Sequence, residues 1–189
     1  MSAHKKTGLR EGRFLDAEGK VSIIMPTYNH QYLIGKSIRS VLDQYYDNWE
    51  LIIVDDESPD DTASAVKSFT DERIHYIRQD NKGLPGARNT GLSKATGNFI
   101  ALLDGDDLIA PHYLKTLVKL LQENPDFDAV YCRAQFIDSR GNLLPQLSGR
   151  PVPPDKLYLQ LLKANFLTPN CVLAYRRCYE AVGLFDTSI

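Results

Sequence analysis

No stretch of this chain approaches the ~20 consecutive apolar residues that a membrane-spanning helix needs. Residues 1–20 also lack the apolar centre of a signal peptide. Cysteine is scarce: Cys132, Cys171 and Cys178 are odd in number and lack metal-type spacing, so no disulfide framework is implied and buried packing roles in a reducing compartment are expected. Positive charge is not in excess. Lys plus Arg total 22 against 24 for Asp plus Glu, a net charge of -2, which argues against a broad basic field for nucleic acid or anionic lipid. The first strand-to-helix turn carries no glycine: it reads Pro26-Thr27-Tyr28-Asn29-His30, and a nicotinamide oxidoreductase of similar architecture needs a Gly-rich fingerprint there. Repeats and low-complexity segments are missing as well. What remains, 189 residues with 43% apolar side chains, fits one sizeable domain with a core, expected in the cytoplasm.

Residues 1–20 are polar and aperiodic and read as a poorly ordered leader. From Val21 the pattern becomes regular. Strands are expected at 21–25, 50–54, 74–78 and 99–103, alternating with helices at 31–44, 60–69 and 85–95. That alternation with short loops is the signature of an α/β fold, a Rossmann-like, mostly parallel sheet with helices on both faces and right-handed crossovers. A helix at 111–124 and a strand near 128–133 follow. Beyond them come a hairpin turn at 138–142, a Pro-rich extended loop at 149–154, a helix at 155–164, a strand at 171–175 and a short helix at 176–182.

The strand at 99–103 runs straight into Asp104, Asp106 and Asp107. Carboxylates at the carboxyl end of a buried strand suit a hard divalent cation, Mg²⁺ or Mn²⁺, whose usual shell is a few carboxylates plus substrate phosphates. Three further polar clusters follow predicted strands: Pro26-Thr27-Tyr28-Asn29, Asp55-Asp56-Glu57-Ser58, and the run from Asn81 through Lys82, Gly83, Gly86, Arg88 and Asn89. Loops after the strands of a parallel sheet open on one edge, so all four clusters should meet. Together they suit a nucleoside diphosphate. Asp55 or Asp56 can accept from a base N–H or from ribose hydroxyls, with Thr27, Asn29 and Tyr28 nearby. Lys82, Arg88 and Asn89 can donate to phosphate or ribose, while Gly83 and Gly86 let the backbone approach closely. His30, His75 and His112 read as surface or core residues. Tyr45, Tyr46 and Trp49 read as a helix-to-strand packing corner.

Val21-Ser22-Ile23-Ile24-Met25-Pro26-Thr27-Tyr28-Asn29, Leu51 to Ser58, Gly86 to Gly91 and Leu103 to Asp107 resemble, in order and spacing, the successive motifs of glycosyltransferase family 2. The resemblance covers about residues 21–189 and is strongest through Pro111. It implies a GT-A fold, a nucleotide-sugar donor, most readily a UDP-sugar, a divalent cation (Mn²⁺ or Mg²⁺), and transfer to an acceptor hydroxyl with inversion. The setting implied is cell-envelope polysaccharide assembly, in the cytoplasm or peripherally at the inner face of the membrane. By the match, Asp104 and Asp106 are the catalytic acidic pair, Asp106 as direct metal ligand and Asp104 nearer the ribose, with Asp107 a secondary metal candidate. Thr27, Asn29 and Asp56 match base-side positions, with Asp55 as the alternative to Asp56, and Pro26 is expected among the nucleotide-binding residues. Residues 21–110 would be the nucleotide half of the domain and 111–189 the start of the acceptor half. Gly183-Leu184-Phe185-Asp186 resembles the segment that precedes the family's general base, so the base itself is expected beyond Ile189, and Asp186 is expected to be a turn residue. A binding module without catalysis and an aspartyl phosphatase using Asp104 and Asp106 are the rival readings.

Overall fold

The computed structural model describes residues 19–138 and 141–188, so all of the expected leader except Gly19 and Lys20 lies outside the described residues. The first half of the chain alternates as the hydrophobic pattern requires. Strand β1 (Val21–Thr27) leads to helix α1 (Ile34–Leu42), β2 (Trp49–Asp55) to α2 (Thr62–Lys67), and β3 (Ile74–Arg78) to α3 (Gly83–Lys94); β4 (Phe99–Leu102) then precedes α4 (Tyr113–Glu123). After these come β5 (Ala129–Tyr131), the strands β6 (Ala134–Ile137) and β7 (Leu143–Ser148), α5 (Pro154–Lys163), a single 3₁₀ turn (Pro169–Cys171), β8 (Val172–Tyr175) and α6 (Arg176–Val182).

The main sheet has the order β3-β2-β1-β4-β8-β5. Its first four strands are parallel, and β8 runs antiparallel to both β4 and β5. Every residue of β1, β2 and β4 is buried, as strands covered on both faces must be. Side chains alternate between two cores. Val21, Ile23 and Met25 pack with Ile34, Ile38 and Val41 of α1 and with Leu114, Leu117 and Leu121 of α4. Ile24, Ile52, Val54, Ile100 and Leu102 point the other way, onto Ala87 and Leu92 of α3 and Tyr179 of α6. Chain order reverses direction across the sheet between β1 and β4, the place where open α/β sheets leave a crevice at their carboxyl edge.

The ends of elements depart from expectation where local chemistry competes. Helix α1 starts at Ile34 rather than at 31, because Asn29 takes a left-handed conformation (φ 60°) and the next residues form a turn. Asp138 N–H donates to the Asn142 carbonyl at 3.0 Å and β6 pairs with β7 in a separate two-stranded sheet, while residues 139 and 140 of the expected hairpin turn lie outside the described residues. Of the cysteines only Cys171 is buried; Cys132 and Cys178 are half-buried. Trp49 is buried in β2, whereas Tyr45 is exposed. Among the described residues no helix is long and apolar enough to cross a membrane.

Candidate functional site

Register decides what meets at the carboxyl edge. Thr27 pairs with Asp55 and Ile24 with Leu102, so the residues that follow β2 and β4 emerge on either side of the end of β1. Backbone hydrogen bonds then fasten the loops together: Asp56 N–H donates to the Thr27 carbonyl at 3.0 Å, and Gly105 N–H to the Pro26 carbonyl at 3.3 Å. A cavity of about 280 Å³ opens between them. It is lined by Pro26, Thr27, Tyr28 and His30 from the β1 loop, Asp56 from the β2 loop, Leu84 and Ala87 from α3, and Asp104 and Asp106 from the β4 loop.

The two candidate acids after β2 are both buried, but only one of them lines the cavity. Asp55 is fully buried and saturated: its carboxylate accepts from Ser58 N–H at 2.8 Å, from the Tyr76 hydroxyl at 2.5 Å and from Arg78 Nη1 at 3.2 Å. Burial, then the hydrogen bond and negative charge of Asp55, push the Tyr76 hydroxyl up to about 12. Asp55 therefore builds the loop and does not face the cavity. Asp56 does face it, held by Gln79 Nε2 at 2.6 Å and Lys82 N–H at 3.0 Å on a single oxygen, Oδ1. Of the two, Asp56 is the one that lines the cavity.

Several other expected contacts are placed elsewhere. Asn29 does not line the cavity; its N–H donates to Ser58 Oγ at 3.0 Å and its backbone makes the left-handed turn. Lys82 is exposed and touches the site through its backbone N–H on Asp56. Gly86 is buried, and a Cβ there would lie 2.4 Å from Lys82 Cβ, so the close approach it permits is to its own helix start. Asn89 exchanges two hydrogen bonds with the backbone of Phe185, Nδ2 to the carbonyl at 2.9 Å and Oδ1 from the N–H at 2.8 Å, which commits its amide to bracing α3 against the distal segment. Arg88 also stays out of the cavity lining. Its Nη2 lies 3.1 Å from Asp104 Oδ1 and its Nε is buried without a hydrogen-bond partner.

The acidic loop thus divides its labour. Asp104, half-buried, is paired by Arg88, and Asp106 is exposed at the cavity wall. Asp107 faces Asn170 of the 3₁₀ turn instead. Burial, then the adjacent charges of Asp106 and Asp104, raise the Asp107 carboxyl above the ordinary carboxylate range, against the opposing pull of the Asn170 hydrogen bond. Among the described residues no group of three or more His, Cys, Asp or Glu side chains forms a closed metal cage. A hard cation would therefore find two carboxylates, Asp104 and Asp106, in an all-oxygen setting, which fits a partly open shell completed by ligand oxygens and water. Asp186 is exposed and accepts from Ser188 N–H and Oγ at 2.8 and 2.7 Å, a turn residue as expected. His30, read from the sequence as a surface or core residue, is instead in the wall, and Leu84 and Ala87 supply an apolar side that the polar motifs concealed. Their spacing of three residues on a helix was the available signal.

Comparison with known proteins identifies the family and the fold. The family described as Glycosyl transferase family 2 matches residues 22–182. The chain is 41% identical over 145 residues to the Escherichia coli UDP-Glc:alpha-D-GlcNAc-diphosphoundecaprenol beta-1,3-glucosyltransferase WfgD, covering 76% of this chain and 55% of that protein. It is 36% identical over 152 residues to the Campylobacter jejuni GalNAc(5)-diNAcBac-PP-undecaprenol beta-1,3-glucosyltransferase, covering 78% of this chain and 47% of the relative. In structure it resembles residues 1–349 of S. aureus TarS in complex with UDP, with TM-score 0.69 and 24% identity over 89% of this chain and 51% of that one. It also resembles the mannosyltransferase PcManGT of Pyrobaculum calidifontis in complex with GDP-Man and Mn²⁺, with TM-score 0.68 and 25% identity over 91% of this chain and 49% of the other. The chain spans about half the length of these relatives. With the family match running from β1 to the end of α6, the chain belongs to glycosyltransferase family 2 and has the GT-A fold of its structural neighbours.

Proposed function

We propose that this chain binds a nucleoside diphosphate-sugar, a UDP-sugar by preference, and takes part in its transfer to an acceptor hydroxyl with inversion at the anomeric carbon. The observation that carries the reading is that Asp56 and the pair Asp104 and Asp106 line one cavity at the reversal point of the sheet. The E. coli relative's name specifies UDP-Glc as donor and a diphosphoundecaprenol-linked acceptor, and the two structural neighbours hold UDP and GDP-Man with Mn²⁺. A lipid-linked acceptor would place the protein peripherally at a membrane face.

In this reading Asp56 accepts from the base, and Tyr28, Pro26, Leu84 and Ala87 supply the apolar surface that covers it. Arg88 holds Asp104 so that its carboxylate keeps a fixed direction, and Asp106 stands at the wall as the direct cation ligand. A bound Mn²⁺ or Mg²⁺ would supply Lewis-acid neutralisation of the departing diphosphate. The described residues are assigned donor binding and stabilisation of the leaving group. The proton of the attacking hydroxyl is assigned to none of them, because Asp186 is committed to its turn.

The test is calorimetric titration with UDP, with and without Mn²⁺. Binding should strengthen at least about tenfold with the metal, and Asp106→Asn should remove that gain while leaving the metal-independent part. UDP binding that Mn²⁺ does not strengthen, or a metal-dependent gain that survives Asp106→Asn, would refute the role of Asp106. Release of phosphate from a generic phosphate ester, without any sugar nucleotide, would favour a phosphatase instead.

A further inference from the structure

The acidic loop is braced by a residue from far along the chain. Asn170, 7% exposed, sits in the 3₁₀ turn before β8, and its side-chain amide donates to Asp104 Oδ2 at 3.3 Å and to Asp107 Oδ2 in a closer contact. Its backbone is held independently of those bonds. The Tyr113 hydroxyl donates to the Asn170 carbonyl at 3.0 Å, and Cys171 N–H closes the turn on the Thr168 carbonyl at 2.9 Å. The Asn170 Oδ1 is buried without a hydrogen-bond partner. A buried acceptor left unpaired costs about 1–3 kcal/mol, so the orientation of this amide is set by what its N–H groups do for the two carboxylates.

Three carboxylates within four residues, Asp104, Asp106 and Asp107, repel one another. Arg88 answers it on one side of Asp104, and the Asn170 amide answers it on the other side and at Asp107. Resting on the nucleotide and metal reading above, the geometry points to Asn170 as a positioning residue of the cation site. It holds Asp107 away from the cavity and fixes Asp104, so that Asp104 and Asp106 meet a divalent cation as a preset pair. Because Asn170 belongs to the turn between α5 and β8, it also makes cation binding by the nucleotide half depend on the docking of the distal half.

A double-mutant cycle tests this with the full chain. Asn170→Leu, similar in volume and without a donor, should weaken Mn²⁺-supported UDP binding about tenfold. In an Asp107→Asn background the same substitution should weaken it less than about threefold, because the charge that the amide offsets is gone. A packing role alone would give equal losses in both backgrounds, and that additivity would overturn the proposal. Should Asn170→Leu fail to fold, Asn170→Ser carries the same cycle, since its hydroxyl is too short to span both carboxylates. Titration with Mn²⁺ alone, followed by the free-ion resonance signal, separates the two levels of the reading. A wild-type chain that binds Mn²⁺ neither alone nor with UDP overturns both, whereas a wild-type chain that binds, combined with additive losses, overturns only the role of Asn170.

Discussion

Asp55 and Asp56 are chemically identical neighbours with different work, and the difference comes from which way each carboxylate points off the end of β2. Asp55 turns inward and is satisfied by Ser58, Tyr76 and Arg78, so its removal leaves the buried Ser58 N–H and the half-buried Tyr76 hydroxyl without their acceptor. Asp55→Ala should cost about 2–4 kcal/mol of folding stability. Asp56→Ala should cost about 1 kcal/mol but weaken UDP binding about tenfold or more, since its carboxylate faces the cavity. Urea unfolding and calorimetry on the two variants check the contrast, and a reversed order would exchange their roles. At this scale the sequence showed which residue types end the strands. It did not show how each is used: Arg88 and Asn89 are adjacent, yet one reaches Asp104 and the other is consumed by Phe185, a partner 96 residues away.

Helix α3 is the element on which the site leans, because it carries Leu84, Ala87 and Arg88 and packs directly on β1 and β2. It approaches the sheet closely at Gly91, where a Cβ would lie 2.3 Å from Ile24 Cγ2. Gly91→Ala gains about 1 kcal/mol in helix propensity, yet the clash should outweigh it, for a net loss of about 1–2 kcal/mol. The denaturation midpoint should fall with an unchanged m-value. Element existence and order in the first half were legible from the sequence because fully buried strands are continuous apolar runs and helices such as α1 and α4 keep a 3.6 period, which α3 does not. The period is less informative further on: α5 has an amphipathic pattern, yet Tyr158, Leu159 and Leu162 remain exposed and none of its residues is buried. A pattern gives the face of a helix without naming what covers it.

At the scale of the whole molecule, the edge of the sheet opposite the cavity is tied by a charge cluster. Near the start of β2, Glu50 accepts from Lys20 Nζ at 2.6 Å, from Ser22 Oγ at 2.5 Å and from Thr96 N–H at 2.7 Å, which joins the chain before β1 to β2 and to the turn before β4. Burial pushes its carboxyl upward, but these hydrogen bonds from Lys20, Ser22 and Thr96 prevail and bring it down to about 2. A carboxyl lowered in the folded state adds stability that is fully present above its unfolded value, near 4.5, and is lost as pH falls toward 2. Wild-type unfolding free energy should therefore decline across that window by at most about 3 kcal/mol from this group, and Glu50→Gln should flatten the decline. Equal slopes for the two proteins in acid denaturation would remove Glu50 from the account. The sequence by itself determined the α/β class, the order of strands and helices through β4, and the four polar loops that share one edge, because hydrophobic period and strand polarity are local properties of the chain. Only the tertiary structure decided that the Asp56 carboxylate faces the cavity while that of Asp55 turns away from it, that Arg88 serves Asp104, that Asn89 is spent on Phe185, and that Asn170 reaches back to the acidic loop. Those outcomes depend on side-chain direction and on contacts between residues far apart in sequence, which register and packing fix and no local pattern encodes.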